Sequence, residues 1–460
     1  MAQTHTIDTT ATRTLLPEFD RRYPVIVEAD GVWLTDCSGR RYLDAMSGGS
    51  MAQTLGYGRS DLAQAARKQA LELAYVHNER LTNPAQEHLA RELVEVAPEG
   101  FTRVRFMTGG AEANETAMRL ARAFHVERGE PQRWQIISPA QSYHGPTMAT
   151  LALTGRAGLH GPFQPYMSRH EHIPPSTERF DPSGEAALQA LDRALEAAGP
   201  ERVSAFFCEV ISAAALPAYR PPDRFWEGLA ERRERHGFLI CVDEIVTGMG
   251  RAGRWFASAG LPIRPDIIAT AKGLGAGYAA IGAVLCQERV YEAIAGGSRR
   301  FTLGHTWDGA PLPCAVGSAV IRALREEGLI TAVAERGPRL REELAAALEG
   351  IDMVGEVRGH GFLLGIDFVD PRDRGSFLAP ELGVAGRVES AAFDRGLVVL
   401  ATQPTRDGFA GDQCLFAPPF TTGEEELSEM VARFEAAVRA VADYVAGELE
   451  RAAQPAGAPR

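Results

Sequence analysis

The stretch Ile240-Cys241-Val242-Asp243-Glu244-Ile245-Val246-Thr247-Gly248-Met249-Gly250-Arg251 drives an apolar run straight into two carboxylates and a glycine-punctuated turn. An unbroken apolar run of this kind reads as a strand buried on both faces, since a strand with one wet face alternates. Similar runs recur at 104–107, 134–138, 203–208, 238–242, 267–270 and 282–286. Amphipathic segments such as 113–128 and 224–235 separate them. Strands alternating with helices predict an α/β fold whose mostly parallel sheet is covered on both sides.

Working outward, 32–36 and 41–44 flank Cys37-Ser38-Gly39-Arg40 in a hairpin-like pattern. Helical periodicity begins at Ser60, with Leu62, Ala65, Ala66, Leu71 and Leu73 as its apolar positions, and resumes over 84–96. The last third changes texture: one long helical stretch over 316–349, strand-like runs at 359–368 and 396–400, and a final amphipathic helix over 424–450. The expected organisation is a large domain over 60–325 and a smaller α+β domain built from 16–59 and 326–451. Residues 1–15 and 452–460 read as flexible ends.

A chain of 460 residues with 45% hydrophobic content is long enough for a large core, and its net charge of -12 argues against nucleic acid or an anionic membrane as partner. The absence of a signal-like apolar core at the start, of any membrane-length run, and of C-x-x-C spacing among the cysteines fits a reducing, cytoplasmic setting. Lys occurs only at Lys68 and Lys272, which leaves 46 arginines among 48 basic residues. Arg cannot serve as a deprotonated amine, so each surviving lysine merits inspection. Lys68 sits mid-helix among polar neighbours and reads as a solvated face residue. Lys272 follows an apolar strand and precedes Gly273, Gly275 and Gly277. A lysine desolvated at a strand terminus has a lowered pKa and can act as nucleophile or base near neutral pH.

Three other segments carry chemistry. Thr108-Gly109-Gly110-Ala111-Glu112-Ala113-Asn114-Glu115 places a small-residue turn before a helix, where free N–H groups make an anion site. Ser142-Tyr143-His144-Gly145 follows a strand at the carboxyl edge of the sheet, where an aromatic ring can stack on a planar ligand. Asp243, delivered to a strand end, needs a strong partner there, and a metal, a protonated heterocyclic nitrogen or an arginine would each serve. The pair His170 and His172 lacks a third ligand, so no metal site is expected.

In this order the segments G-G-A-E-A-N-E, Y-H-G, D-E-I-x-T-G-x-G-R and D-I-x-x-x-A-K-G-L-G resemble the class III (ω-amino acid and amine) aminotransferases. The resemblance spans nearly the whole chain, from about Val32 to Val445. It implies a fold-type I transferase dependent on pyridoxal 5′-phosphate, with a mostly parallel seven-stranded sheet in the large domain. It implies that Lys272 bears the cofactor in a ping-pong aldimine mechanism and that Asp243 holds its ring nitrogen protonated. Tyr143 and Ile245 pack on the ring faces, and Gly110 and Ala111 hold the phosphate. Glu209 and His144 lie near the cofactor, and Thr306 reaches the phosphate of a neighbouring subunit. A homodimer is then the minimal active unit, with assembly into tetramers open. The partners are an amino donor and a keto acid, pyruvate being the expected acceptor. Ser50 and Met51 lie in the strip expected to line the substrate pocket, and Arg406 is the candidate for a substrate carboxylate.

The chain departs from the family in having Gly109 where Ser is usual, Val210 where Pro follows the glutamate, and no Trp near Ser50. Rival readings are an aminomutase or a decarboxylating transaminase with the same cofactor, and a non-catalytic α/β binding protein in which Lys272 is a structural charge.

Overall fold

The computed structural model of the chain describes residues 6–7, 12–405 and 408–453. The strand Leu239–Asp243 lies at the centre of a seven-stranded sheet. In spatial order its strands are Phe101–Met107, Gly282–Gln287, Ile267–Thr270, Leu239–Asp243, Val203–Glu209, Gln135–Pro139 and Glu171–Ile173. The neighbours pair in parallel except for Gly282–Gln287, which is antiparallel to both strands beside it.

The continuous apolar runs have a direct cause in the packing. Leu239 and Cys241 point into one core layer with Ala205, Phe207, Ile267 and Ala269, under Ala113, Ala117 and Leu120 of the helix Gly110–Glu127. Ile240 and Val242 point into the other, with Phe206, Cys208 and Ile268. Both faces are thus buried, and each side chain of Leu or Ile size taken from water contributes about 1.5–3 kcal/mol.

The chain ends meet in a second layer. Leu397–Val398 pairs in parallel with Arg41–Asp44, which continues through Trp33–Asp36 to Ile26–Asp30 as a four-stranded sheet. A separate antiparallel sheet holds Val354–His360, Leu363–Phe368, Gln413–Phe416 and Leu400–Thr402 in that order. Against these packs the final helix Glu424–Ala453, burying Leu427, Met430, Phe434, Val438 and Val445. This is the smaller α+β domain built from both ends of the chain.

Several local expectations need correction. The stretch 316–349 is two helices, Pro311–Glu326 and Leu329–Ala347, broken at Gly328. The run 359–368 folds into a hairpin, with most of its first strand lying upstream of Gly359. The run 396–400 is split between two sheets, because Leu397–Val398 pairs with Arg41–Asp44 while Leu400–Thr402 pairs with Gln413–Phe416. Leu71 and Leu73 share the helical pattern of Ser60–Glu72 but are exposed; of the apolar positions read there, only Leu62 is buried. The final helix extends past Glu450 to Ala453, and most of 1–15 and 452–460 lies outside the described residues. Among the described residues, no helix is long and apolar enough to cross a membrane.

Candidate active site

Parallel strands present their carboxyl ends to one edge of the sheet, and ligands of such sheets bind along that edge. Here Asp243 stands opposite Glu209 on one neighbouring strand and Ala269 on the other. Lys272 follows two residues beyond the end of Ile267–Thr270. At this edge lies a cavity of about 320 Å³, within the range of small-molecule sites. Gly110, Ala111, Tyr143, His144, Glu209, Asp243, Ile245 and Lys272 all line it. Eight residues singled out from the sequence therefore share one wall.

Strand alternation separates the two adjacent carboxylates. Asp243 faces the cavity, where its Oδ2 accepts from Asn114 Nδ2 at 2.7 Å and lies 2.9 Å from His144 Nδ1, while Oδ1 accepts from Ile245 N at 2.9 Å. Opposite a carboxylate, His144 Nδ1 is the protonated ring nitrogen. His144 Nε2 has no partner. Glu244 turns the other way and accepts from Thr247 Oγ1, Ala257 N and Ser258 N, all within 2.9 Å. It fixes the turn that follows the strand.

Lys272 sits half-buried at the start of a short helical turn, with φ +36°, a left-handed conformation costly for a residue with a side chain. Burial draws its amine down from the ordinary value of 10.5 to about 8, against the opposing pull of Asp243 and Glu209. Burial pushes the Glu209 carboxyl up to about 7, partly offset by His144. Glu209 accepts from Tyr143 N at 3.3 Å and from Ser212 Oγ and Ala213 N at 3.2 Å. The Tyr143 phenol is likewise raised by burial.

The turn Gly109–Ala111 opens the 18-residue helix Gly110–Glu127, whose first N–H groups lack intrahelical acceptors. A Cβ on Gly110 would lie 2.8 Å from Ile245 Cδ1, so the helix start packs directly against that side chain. Beside it Glu112 accepts from Thr108 N at 2.9 Å and lies 3.0 Å from His305 Nε2, tying the turn to the loop that carries Thr306.

Three expected residues do not line this cavity, and a fourth cannot be placed against it. Thr306 is exposed on its loop, where its carbonyl accepts from Tyr75 Oη at 2.9 Å. Ser50 is exposed and Met51 buried, and from that strip it is Ala52 that lines the cavity. Arg406 lies outside the described residues. Sequence reasoning missed Asn114, which bridges Asp243 and the His144 carbonyl. Its signal was spacing: four residues after Gly110, it lies on the same helix face. It also missed Arg251, fully buried, which donates to Phe362 O at 3.0 Å, Pro418 O at 2.6 Å and Ser47 Oγ at 2.8 Å.

The chain is similar to known proteins over most of its length. The family model "aminotransferase class-III" matches residues 18–438. Diaminobutyrate–2-oxoglutarate transaminase of Halomonas elongata is 34% identical over 444 residues, covering 92% of each chain. Putrescine–pyruvate aminotransferase of Pseudomonas aeruginosa is 33% identical over 421 residues, 88% of each chain. The PLP-bound structure of an amine transaminase from an uncultivated Pseudomonas species superposes with a TM-score of 0.85 at 31% identity, covering 94% of this chain and 98% of that one. The chain belongs to the class III aminotransferase family, fold-type I enzymes whose cofactor is pyridoxal 5′-phosphate.

Proposed function

We propose that the protein moves an amino group from an ω-amino acid or another primary amine to a keto acid, pyruvate first, in a ping-pong reaction. The observation that carries this reading is one cavity that joins Lys272, its amine drawn down to about 8, with the buried Asp243 carboxylate. The residues present fit pyridoxal phosphate. Asp243 Oδ1 takes one N–H from Ile245 and keeps a lone pair for a ring N–H. Gly110 and Ala111 would hold the phosphate at the helix start, Tyr143 and Ile245 the ring faces, and Lys272 the aldehyde carbon. When bound, the group supplies an electron sink for a bond broken at the amine-bearing carbon.

The chain's own residues do the rest. His144 and Asn114 fix the Asp243 carboxylate, so it faces the cavity without reorganising. Lys272 Nζ, in its neutral form, would take the proton from the amine-bearing carbon of the substrate and hold it for return to the adduct. Glu209, raised toward neutrality, can hold a proton beside the Tyr143 N–H. Thr306 serves the neighbouring subunit in a homodimer, a reading supported by the exposed Leu71, Leu81 and Trp307 in this part of the chain. The buried cysteines Cys208, Cys241, Cys286, Cys314 and Cys414, none of them in a disulfide, favour a cytoplasmic setting.

The test is a donor screen on the holoenzyme with pyruvate and with 2-oxoglutarate as acceptor. Donor amine alone should convert one equivalent and stop, and the keto acid should restart turnover. Isomerisation of the amine without acceptor would replace this reading by an aminomutase, and carbon dioxide release by a decarboxylating enzyme.

A further inference from the structure

Arg156 lies beside the cavity with its charge uncommitted. Among the described residues its one side-chain hydrogen bond is a long one, Nη1 to Ala214 O at 3.5 Å, and Ala214 is itself a cavity residue. Among the described residues no carboxylate lies within ion-pairing distance of it. The contrast with other half-buried or buried arginines is sharp. Arg179 and Arg358 are both held by Asp367, and Arg251 spends its donors on two carbonyls and a hydroxyl. Burial lowers the Arg156 pKa, and the residue that opposes this is Tyr143 of the cavity wall.

The segment that presents Arg156 is fixed to the site. Thr154 Oγ1 accepts from His144 N at 2.9 Å, Gly155 N donates to Ser142 Oγ at 3.1 Å, and Gln141 N donates to Gly155 O at 3.3 Å. A Cβ on Gly155 would lie 2.5 Å from Pro139 O, so the two backbones touch. Arg156 is therefore carried on the same rigid piece as Tyr143 and His144. A guanidinium that is partly desolvated, without an ion pair and carried on a fixed backbone is suited to bind a carboxylate through two parallel N–H bonds.

We propose that Arg156 receives the carboxylate of the substrate, making an amino acid or keto acid, and not a simple amine, the ligand this cavity is shaped for. The inference rests on the aminotransferase reading and names its substrate class.

The experiment measures binding of propionate, an unreactive carboxylate, and of propanamide, its neutral counterpart, to the holoenzyme by calorimetry. The proteins are wild type, Arg156→Gln and Arg156→Lys. Propionate affinity should fall at least tenfold in Arg156→Gln and less in Arg156→Lys, with propanamide unchanged. The preference for pyruvate over propanal in kcat/KM should fall at least tenfold in Arg156→Gln. Propionate affinity within twofold of wild type in the Gln variant overturns the proposal, as does an equal loss of propanamide binding. A wild-type enzyme that fails to convert any donor amine overturns the aminotransferase reading instead, because the propionate comparison does not depend on turnover.

Discussion

The molecule offers two cavities with a lysine in each, and the larger is the less suited to chemistry. A groove of about 570 Å³ between the helices Ser60–Glu72, Pro84–Val96 and Pro311–Glu326 contains Lys68 among Asp61, Glu72, His88, Arg322 and Glu326. The Lys68 side chain is 76% exposed and lies 3.9 Å from Glu72, a surface pair worth about 0–1 kcal/mol. The cavity at the sheet edge is smaller, yet its lysine is half-buried, strained and opposite fixed carboxylates. Volume does not make a site. Desolvation and pre-set partners do.

The sharpest way to break this contrast is to exchange the two lysines for alanine. Lys272→Ala should lose borohydride-fixed cofactor on its peptide and transaminate about 10³-fold or more slowly, since both a nucleophile and a base are removed. Lys68→Ala should keep kcat within twofold and stability within about 0.5 kcal/mol. Comparable losses in both variants would erase the distinction.

Next in size, Asp243→Asn should slow the amine half-reaction roughly 10²–10³-fold, because the amide no longer supplies the charge aimed at the ring nitrogen. Rapid-mixing absorbance would measure it, and an effect below tenfold would put the electrostatic role elsewhere.

The smallest effect is a pH dependence in the apoprotein. Lys272 has a folded pKa near 8, below its ordinary 10.5, so the unfolded chain binds more protons between those values and stability rises with pH across that window. Lys272→Met should therefore gain most over wild type below pH 8 and lose that advantage by about pH 10.5 in chemical denaturation.

Much of this site could be read from the chain because strand ends are legible. Asp243 and Lys272 each follow an apolar run too continuous to be anything but a two-faced buried strand, and parallel pairing brings such ends together. What escaped depended on contacts across long separations. Asn114 is an ordinary helical position until the helix start packs on Ile245 and aims it at Asp243. The split at Val399 is invisible in sequence, since both halves are apolar and only their partners differ. Leu71 and Leu73 fit a buried helical stripe by period, but periodicity reports an apolar face without saying whether this chain covers it. The strip around Ser50 has left-handed backbone at Ser47, Gly48, Gly49 and Met51, a conformation the sequence does not announce, and it is Ala52 just beyond it that lines the cavity.

Arg251 has a mechanical meaning beyond its burial. Its guanidinium fastens the turn after Asp243 to Ser47, Phe362 and Pro418, which belong to the strip and strands of the smaller domain. Sliding the two bodies past each other would break three buried hydrogen bonds to a charged group, at about 1.5–3 kcal/mol each. Three acceptors on three separate stretches resist rotation as well, so the joint acts as a rivet that holds the turn after Asp243 and the smaller domain in one register beside the cavity.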